Sequence, residues 1–239
     1  MPFVVKNTSF PNPLDLLFPH SCRGCGLMGE VLCERCKNHI IKTHRDICPN
    51  CKQPFSTTNT SDLSIFASHK CSRCHDLPPI YVVGPRNIIL GELIHDYKYH
   101  SIRALAKPLA ELMHTTLPQS LPKNTILVPL PTASHHIRAR GLDHTYLIAK
   151  HLGKTRHLST KHILIRDKNT VQVGSDRTKR LTQAESAYKL NPRVKINPNT
   201  TYVLIDDIWT TGASIKAASN ILKQAGAQNL IIALLAYSS

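Results

Sequence analysis

The chain has 239 residues, of which 41% are hydrophobic, which supports a real core in one large domain or in one medium and one small domain. Its formal net charge of +15 points towards polyanionic partners. No apolar run approaches the roughly 18 residues that a membrane-spanning helix requires, and the N-terminus lacks the pattern of a signal peptide. We therefore expect a cytoplasmic protein with reduced cysteines and no membrane insertion.

All eight cysteines fall in four Cys-x-x-Cys pairs within the first 74 residues. Eight thiolates in this arrangement predict two tetrahedral, structural zinc sites of four cysteines each. Pairing in sequence order would join the first two pairs and the last two, whereas a cross-brace would join the first with the third and the second with the fourth. In sequence order the first site takes Cys22, Cys25, Cys33 and Cys36, and the second takes Cys48, Cys51, Cys71 and Cys74.

A polar segment rich in Ser, Thr and Asn at 52–69 predicts a loop within the second cysteine group. Asp76-Leu77-Pro78-Pro79 has the composition of a linker between domains. We therefore expect a small zinc-ribbon domain at 1–78 and a second domain at 79–239.

Beyond the linker, apolar runs alternate with segments of helical periodicity, which predicts an α/β domain with a mostly parallel sheet and flanking helices. The expected strands lie at 81–83, 125–131, 162–165, from 202 to the acidic pair at 206–207, and at 229–237. The expected helices lie at 87–99, 103–117, 142–152 and from 215 onward.

A basic segment follows the second strand. Residues 132–141 read as a loop at the carboxyl end of that strand, and Arg138 and Arg140 could meet an anionic group there. The alternative is a solvated charged loop. Residues 135–180 as a whole carry eleven Lys and Arg against three Asp, so this part of the chain is strongly basic.

The most informative stretch is 202–214, where an apolar run leads into Asp206-Asp207 and then into a Thr-Thr-Gly-Ala-Ser turn. It predicts a buried strand, a tight loop and the N-terminus of a helix. The unpaired N–H groups and dipole of that terminus suit a phosphate. Carboxylates beside a phosphate cradle suit a sugar phosphate, whose hydroxyls can donate to them.

This stretch resembles the motif with which type I phosphoribosyltransferases bind 5-phosphoribosyl-1-pyrophosphate (PRPP). The resemblance implies that Asp206 and Asp207 hold the ribose hydroxyls and that the following loop holds the 5′-phosphate. It also implies Mg²⁺ with PRPP and basic groups on the pyrophosphate, for which Lys98, Arg138 and Arg140 are the candidates. The implied phosphate loop comprises Thr210, Thr211, Gly212, Ala213 and Ser214.

The order of several short motifs narrows the resemblance to the ComF family of competence proteins. The motifs are Leu17-Phe18-Pro19 before the cysteines, Lys98-Tyr99, Val128-Pro129-Leu130-Pro131, Arg138-Ala139-Arg140-Gly141 and finally the PRPP motif. This resemblance implies a type I phosphoribosyltransferase-like domain behind a zinc ribbon, and a role in bringing single-stranded DNA into the bacterial cytoplasm during natural transformation.

Three functions follow as hypotheses. The first is a PRPP-binding protein that also binds single-stranded DNA, for which the nucleic-acid candidates are Lys168, Arg177, Lys179 and Arg180. The second is an active phosphoribosyltransferase of nucleotide salvage with PRPP, Mg²⁺ and an unidentified acceptor. The third is an adaptor whose zinc ribbons dock a competence helicase or another DNA-uptake protein. The aromatic content of 5% argues against extensive base stacking.

Overall fold

The computed structural model describes residues 20–43, 47–55, 70–166 and 187–238. Most of the polar segment 52–69 lies outside these ranges, and so does the Leu17-Phe18-Pro19 motif. The nucleic-acid candidates also lie outside the described residues, so their role stays a prediction; they are Lys168, Arg177, Lys179 and Arg180.

The described chain contains seven strands, five of which form one sheet. These five are all parallel and follow the spatial order first, seventh, sixth, second, third. The fourth and fifth strands form a separate antiparallel pair. The strands are β1 (Ile80–Pro85), β2 (Ile126–Pro129), β3 (Ser159–Thr160), β4 (Leu164–Arg166), β5 (Tyr188–Leu190), β6 (Thr201–Trp209) and β7 (Asn229–Tyr237).

Helices flank the sheet, which confirms the predicted α/β class. Asn87 and Asp143 cap two of them by accepting a hydrogen bond from a backbone N–H three residues later. A single 3-10 turn at Arg103–Leu105 precedes the third helix, so Pro108 lies in a first helical turn, where its missing N–H interrupts no helical hydrogen bond. The helices are α1 (Glu34–Lys42), α2 (Ile88–Tyr99), α3 (Ala106–Thr116), α4 (Ser134–Arg140), α5 (His144–Arg156) and α6 (Ala213–Gln224). In this part of the chain, no helix is both long and apolar enough to span a membrane.

The basic segment after β2 is not the loop that the sequence predicts. Residues Ser134–Arg140 form α4, which ends at Gly141 in the left-handed region at φ 67°. Glycine adopts this conformation without strain. The helix expected from Leu142 begins at His144 instead, because Asp143 provides its N-terminal cap.

Strands β2 and β6 are neighbours, and Pro129 pairs with Ile205 in their parallel register. From β2 the chain continues to β3 on one side of the sheet, whereas from β6 it continues to β7 on the other side. Open parallel sheets bind ligands outside the carboxyl ends of their strands at such a reversal. The topology therefore places the segments after β2 and β6 around a potential binding cleft.

The sheet separates two hydrophobic layers, and each layer includes one group of cysteines. Cys36 packs in the same layer as Val203 of β6, whereas Cys48 packs in the opposite layer with Tyr202. Because β1 is an edge strand, the N-terminal region can reach both faces of the sheet around it. The predicted division into domains at residue 78 stays a prediction.

Polar contacts add to this packing on both faces. On one face, Lys37 of α1 contacts Glu111 of α3 at 2.7 Å. On the other, Lys52 donates a hydrogen bond to the backbone oxygen of Ser238, and its ammonium lies 4.8 Å from the centre of the Tyr237 ring. Polar contacts therefore help to attach both cysteine groups to the α/β part of the chain.

Candidate functional site

The acidic pair lies near the carboxyl end of β6, where Asp206 is partly exposed and Asp207 is buried. Successive side chains of a strand point to opposite faces of the sheet. Asp207 accordingly faces α2 and α5, whereas Asp206 lies on the side of Tyr188 in β5. A backbone hydrogen bond of 2.8 Å from the N–H of Asp207 to Oδ1 of Asp206 joins the two residues.

Two side chains from different helices converge on one oxygen of Asp207. Nζ of Lys98, near the end of α2, lies 2.6 Å from Oδ2, and Nε2 of His144, at the start of α5, lies 3.1 Å from the same atom. Burial alone would raise the pKa of this carboxyl, but the contacts with His144 and Lys98 lower it to about 2. Asp207 is therefore held as a carboxylate.

The pKa of Asp206 is shifted in the opposite direction. Burial, reinforced by the negative charge of Asp207, raises its pKa to about 7, although the charges of Lys98 and Arg166 oppose the shift. Two adjacent carboxyls thus have pKa values on opposite sides of their ordinary range. Strongly perturbed carboxyl groups beside a cleft are typical of functional sites.

Packing of α2 against α5 fixes the groups around Asp207. The buried side chain of Tyr97 donates a hydrogen bond from its hydroxyl to the backbone oxygen of His144 at 2.8 Å. Its ring meets the imidazole edge-on, with centroids 6.2 Å apart. Because Lys98 follows Tyr97 directly, anchoring one side chain also positions the other.

A cavity of about 230 Å³ opens beside the acidic pair. Three cationic side chains line it: Lys98 from α2, Arg140 from α4 and Arg166 from β4. The guanidinium of Arg140 lies 5.0 Å from the centre of the Tyr99 ring. Basic groups facing two carboxylates suit a ligand that carries both anionic groups and hydroxyls.

The predicted phosphate loop at 210–214 begins three residues after the acidic pair, but none of its residues lines the cavity. Thr210 and Thr211 are exposed, and Oγ1 of Thr211 accepts a hydrogen bond from the N–H of Ala213 at 3.4 Å. The N-cap residue Gly212 provides no side-chain cap, so the first-turn N–H groups of α6 other than that of Ala213 are available to an anion. Ser214 hydrogen-bonds with Tyr188, which itself lines the cavity.

A glycine is needed at position 212 for a structural reason that the sequence does not reveal. Its φ is +74°, and a Cβ atom added there would lie 2.1 Å from the Trp209 ring. Trp209 is buried in the layer that contains Cys48, with its indole packed beneath the loop. Glycine is therefore required for the approach of the backbone to the indole as well as for its dihedral angle.

The eight cysteines form two clusters in sequence order, not a cross-brace. Within each cluster the four Sγ atoms all lie within 4.8 Å of one another. Individual pairs are closer, at 3.6 Å for Cys25 and Cys33 and 3.5 Å for Cys51 and Cys71.

These distances fit zinc. Four thiolates at about 2.3 Å from a tetrahedrally bound zinc ion lie about 3.8 Å from each other. Without a metal ion the thiols differ: hydrogen bonds from the backbone N–H of Leu27 and from Arg35 lower the pKa of Cys25 to about 6, whereas burial raises the pKa of Cys36 and of Cys48. The residues therefore match two structural zinc sites.

Comparisons with known proteins agree with this arrangement. A family model described as a double zinc ribbon domain matches residues 13–76. Competence protein ComFC of Bacillus subtilis (strain 168) is 26% identical over 82% of this chain and 80% of its own length. Competence protein F of Haemophilus influenzae is 22% identical over 83% of this chain and 93% of its own length. The DNA utilization protein YhgH of Escherichia coli K12 is 24% identical over 82% of this chain and 92% of its own length.

The chain is a homologue of the ComF and ComFC competence proteins. The match extends over most of both chains. It confirms the ComF resemblance inferred from the order of the short motifs.

Within this ComF homologue, the structure assembles only part of the predicted pyrophosphate set. Lys98 and Arg140 line the cavity, but Arg138 is exposed and does not line it. In addition, Lys98 contacts Asp207 directly, a pairing that the sequence did not indicate. The roles of these residues towards PRPP stay predictions.

Three cavity residues were not predicted from the sequence: His144, Arg166 and Tyr188. His144 belongs to none of the motifs found in the sequence. Its position directly after the helix cap Asp143 is the one local signal, because residues at a helix start often face the edge of a sheet. Arg166 and Tyr188 are separated from the motif by long stretches of chain and depend on the pairing of β4 with β5.

Proposed function

We propose that this chain is a PRPP-binding, phosphoribosyltransferase-like protein of natural transformation that binds incoming single-stranded DNA in the bacterial cytoplasm. The homologues are named as competence and DNA utilization proteins. The observation that carries the PRPP part is the acidic pair near the end of β6, which lines a cationic cavity and is followed closely by the N-terminus of α6.

The ribose and its 5′-phosphate would occupy the β6 end of the cleft. Asp207, which is ionised, and Asp206 in its ionised form would accept hydrogen bonds from the 2′- and 3′-hydroxyls, since ionised carboxylates are acceptors only. The phosphate lies against the first-turn N–H groups of α6. The hydroxyls of Thr210, Thr211 and Ser214 add donors to this phosphate site.

The pyrophosphate would occupy the part of the cavity that the cations line. Arg140 and Arg166 present guanidinium groups, which bind phosphate oxygens with two parallel hydrogen bonds. Lys98 contributes a third charge while it keeps Asp207 ionised. The acidic pair offers oxygen ligands that could help to hold Mg²⁺ when PRPP binds, and the ion would supply positive charge to the pyrophosphate.

DNA binding rests on charge. Residues 81–239 carry 21 Lys and Arg against 9 Asp and Glu, a formal +12. Contacts between such cations and backbone phosphates release counterions, so the affinity is expected to fall steeply with salt. The two cysteine groups, which pack on opposite faces of the sheet, would each hold a structural zinc ion, and they would offer a surface to a competence helicase or another DNA-uptake protein.

A second candidate is an active phosphoribosyltransferase. The pKa of about 7 at Asp206 favours it, because a carboxyl near neutrality can accept a proton at physiological pH. Incubation with PRPP, Mg²⁺ and a panel of nucleobases distinguishes the two candidates: formation of nucleotide supports transfer, whereas binding without product supports a binding protein.

Calorimetric titration of the zinc-loaded protein with PRPP and Mg²⁺ tests the proposed function. We expect saturable binding of one PRPP per chain. Ribose 5-phosphate and pyrophosphate, titrated separately, should each bind more weakly, because each reaches only one half of the cleft. No heat or competition with any of the three ligands would contradict the proposal.

A further inference from the structure

Two cavities adjoin on the side of α6 that faces the second cysteine group. Each has a volume of about 350 Å³, and both are lined by Asp76 and Leu77 of the linker. We call the two together the inter-module groove. None of the residues that line it also lines the cavity beside the acidic pair. The groove is therefore separate from the proposed PRPP site.

The charges along the groove are strongly unbalanced. Four cationic side chains line it, against the single carboxylate of Asp76. None of the four forms an ion pair with a carboxylate of another described residue. The cations are Arg73 and Lys216 in one cavity and Lys70 and Lys223 in the other.

Neutral acceptors hold two of these ammonium groups in place. Lys216 donates to Oδ1 of Asn50 at 2.9 Å, and Lys223 donates to the backbone oxygen of Asp76 at 2.6 Å. An ammonium has three donors, so each retains capacity for a ligand. Ser219 also lines the groove, and its buried hydroxyl has no hydrogen-bond partner among the described residues. Such a group calls for an acceptor.

We propose that the inter-module groove binds the backbone phosphates of single-stranded DNA. The identity of the polymer rests on the proposed function, whereas the phosphate chemistry follows from the groove itself. The cations are divided between two adjoining cavities instead of converging on one point, which suits successive phosphates of a strand better than a single phosphate ion. The second cysteine group and α6 would then hold the DNA between them.

One structural alternative predicts a different result. A zinc ion with four thiolates carries a net charge of −2, and Cys74 lines the groove, where its Sγ accepts a hydrogen bond from Asn50 at 3.2 Å. The cations could serve only to neutralise this charge. Even with the zinc site and Asp76 included, the groove keeps a net positive charge of one, so neutralisation alone does not account for all four cations.

Fluorescence anisotropy with a labelled oligothymidylate tests the proposal on the full-length, zinc-loaded protein. The groove variant combines Arg73→Gln, Lys216→Gln and Lys223→Gln. The matched control combines Lys123→Gln, Arg193→Gln and Lys195→Gln, which remove the same charge from exposed positions that precede β2 and β6. We expect the groove variant to bind about a hundredfold more weakly at 0.1 M salt, with a salt slope shallower by about 2, and the control to match the wild type.

Further variants separate charge from folding. Arg73→Lys with Lys216→Arg and Lys223→Arg keeps the charge and should keep most of the affinity, and Arg73→Gln alone should weaken binding about fivefold. Zinc content and PRPP affinity should not change. Loss of zinc with unchanged DNA binding would show that the cations only neutralise the thiolates. Equal DNA binding by groove variant and control would overturn the groove alone, whereas no binding by the wild type would overturn both the groove and the DNA part of the proposed function.

Discussion

The Nε2 atom of His144 lies 3.1 Å from Oδ2 of Asp207, although 63 positions separate the two residues in the sequence. The same oxygen contacts Lys98 at 2.6 Å. Groups of the protein itself therefore compensate the negative charge of Asp207 before any ligand binds. Asp206, without a comparable partner, is the carboxyl whose charge is free to change near neutral pH.

Removal of the imidazole should weaken PRPP binding without unfolding the protein. His144→Ala leaves a buried carboxylate with one hydrogen bond fewer, a loss that costs about 1–3 kcal/mol. We expect the Kd for PRPP to rise by roughly 5–100-fold, as measured by calorimetry.

His144→Gln should recover part of the affinity, because its amide N–H₂ can donate to the same oxygen. His151→Ala is the matched control, since His151 lies on the same helix but does not line the cavity. An affinity in His144→Ala equal to that of the control would contradict a role for His144 in positioning Asp207.

The free energy of unfolding should depend on pH through the ionisation of Asp206. Because its pKa is raised to about 7, the folded state binds the proton more tightly than the unfolded state, where the carboxyl has an ordinary pKa. This carboxyl therefore makes the free energy of unfolding fall as pH rises from about 4 to 7. Asp206→Asn removes the effect.

Denaturant unfolding at pH 5 and pH 8 measures that effect. Relative to the wild type, Asp206→Asn should gain stability at pH 8 and gain less at pH 5. Protonation of the zinc ligands at low pH affects both proteins alike and cancels in the comparison. A difference between the two proteins that is the same at both pH values would show that Asp206 has an ordinary pKa.

Gly212→Ala should destabilise the loop and abolish PRPP binding together. The added Cβ meets the Trp209 ring at 2.1 Å, and the left-handed backbone adds roughly 1–2 kcal/mol. Gly212→Asn separates the two causes, because asparagine tolerates φ > 0 but also has a Cβ atom. Equal thermal destabilisation by both variants is expected from the contact with Trp209, whereas a near-normal Gly212→Asn protein would leave only the dihedral angle as the cause.

Zinc should stabilise the sheet and not just the cysteine groups. Metal analysis should find two zinc ions per chain, and one in either Cys36→Ser or Cys48→Ser. Because Cys36 and Cys48 belong to the two layers on opposite faces of the sheet, each variant should lower the unfolding midpoint by at least about 5 °C. Loss of one zinc with an unchanged midpoint would contradict this coupling.

Local patterns were enough to predict some elements closely. Strand β7 occupies 229–237 as expected, because a continuous apolar run in an α/β chain is buried on both faces of a parallel sheet. Helix α2 begins after Asn87 because that side chain caps it, a signal that is local in the sequence. The sequence order of the cysteine pairs also matches the order in which they cluster.

Other features depend on contacts that no local pattern contains. The basic segment 132–141 has a composition typical of a loop, yet its start at the end of β2 and the glycine at 141 allow a short helix. His144 contacts Asp207 only because α5 packs beside β6, and Arg166 lines the same cavity from β4, which pairs with β5 and not with the main sheet. The burial of Trp209 beneath the loop likewise depends on tertiary packing, which the motif does not show.

The most direct test of the proposed site is the titration of Asp206→Asn/Asp207→Asn with PRPP and Mg²⁺. Asparagine keeps the size but removes the charges and half of the acceptor capacity, and each lost charged hydrogen bond costs about 1.5–3 kcal/mol. Glu92→Gln, an exposed carboxyl on α2, is the control for lost charge. We predict that the double variant binds PRPP roughly 10²–10⁴-fold more weakly while its zinc content, its far-UV circular dichroism and the affinity of the control all match the wild type. An unchanged Kd for PRPP in the folded double variant would contradict the placement of the site at the end of β6.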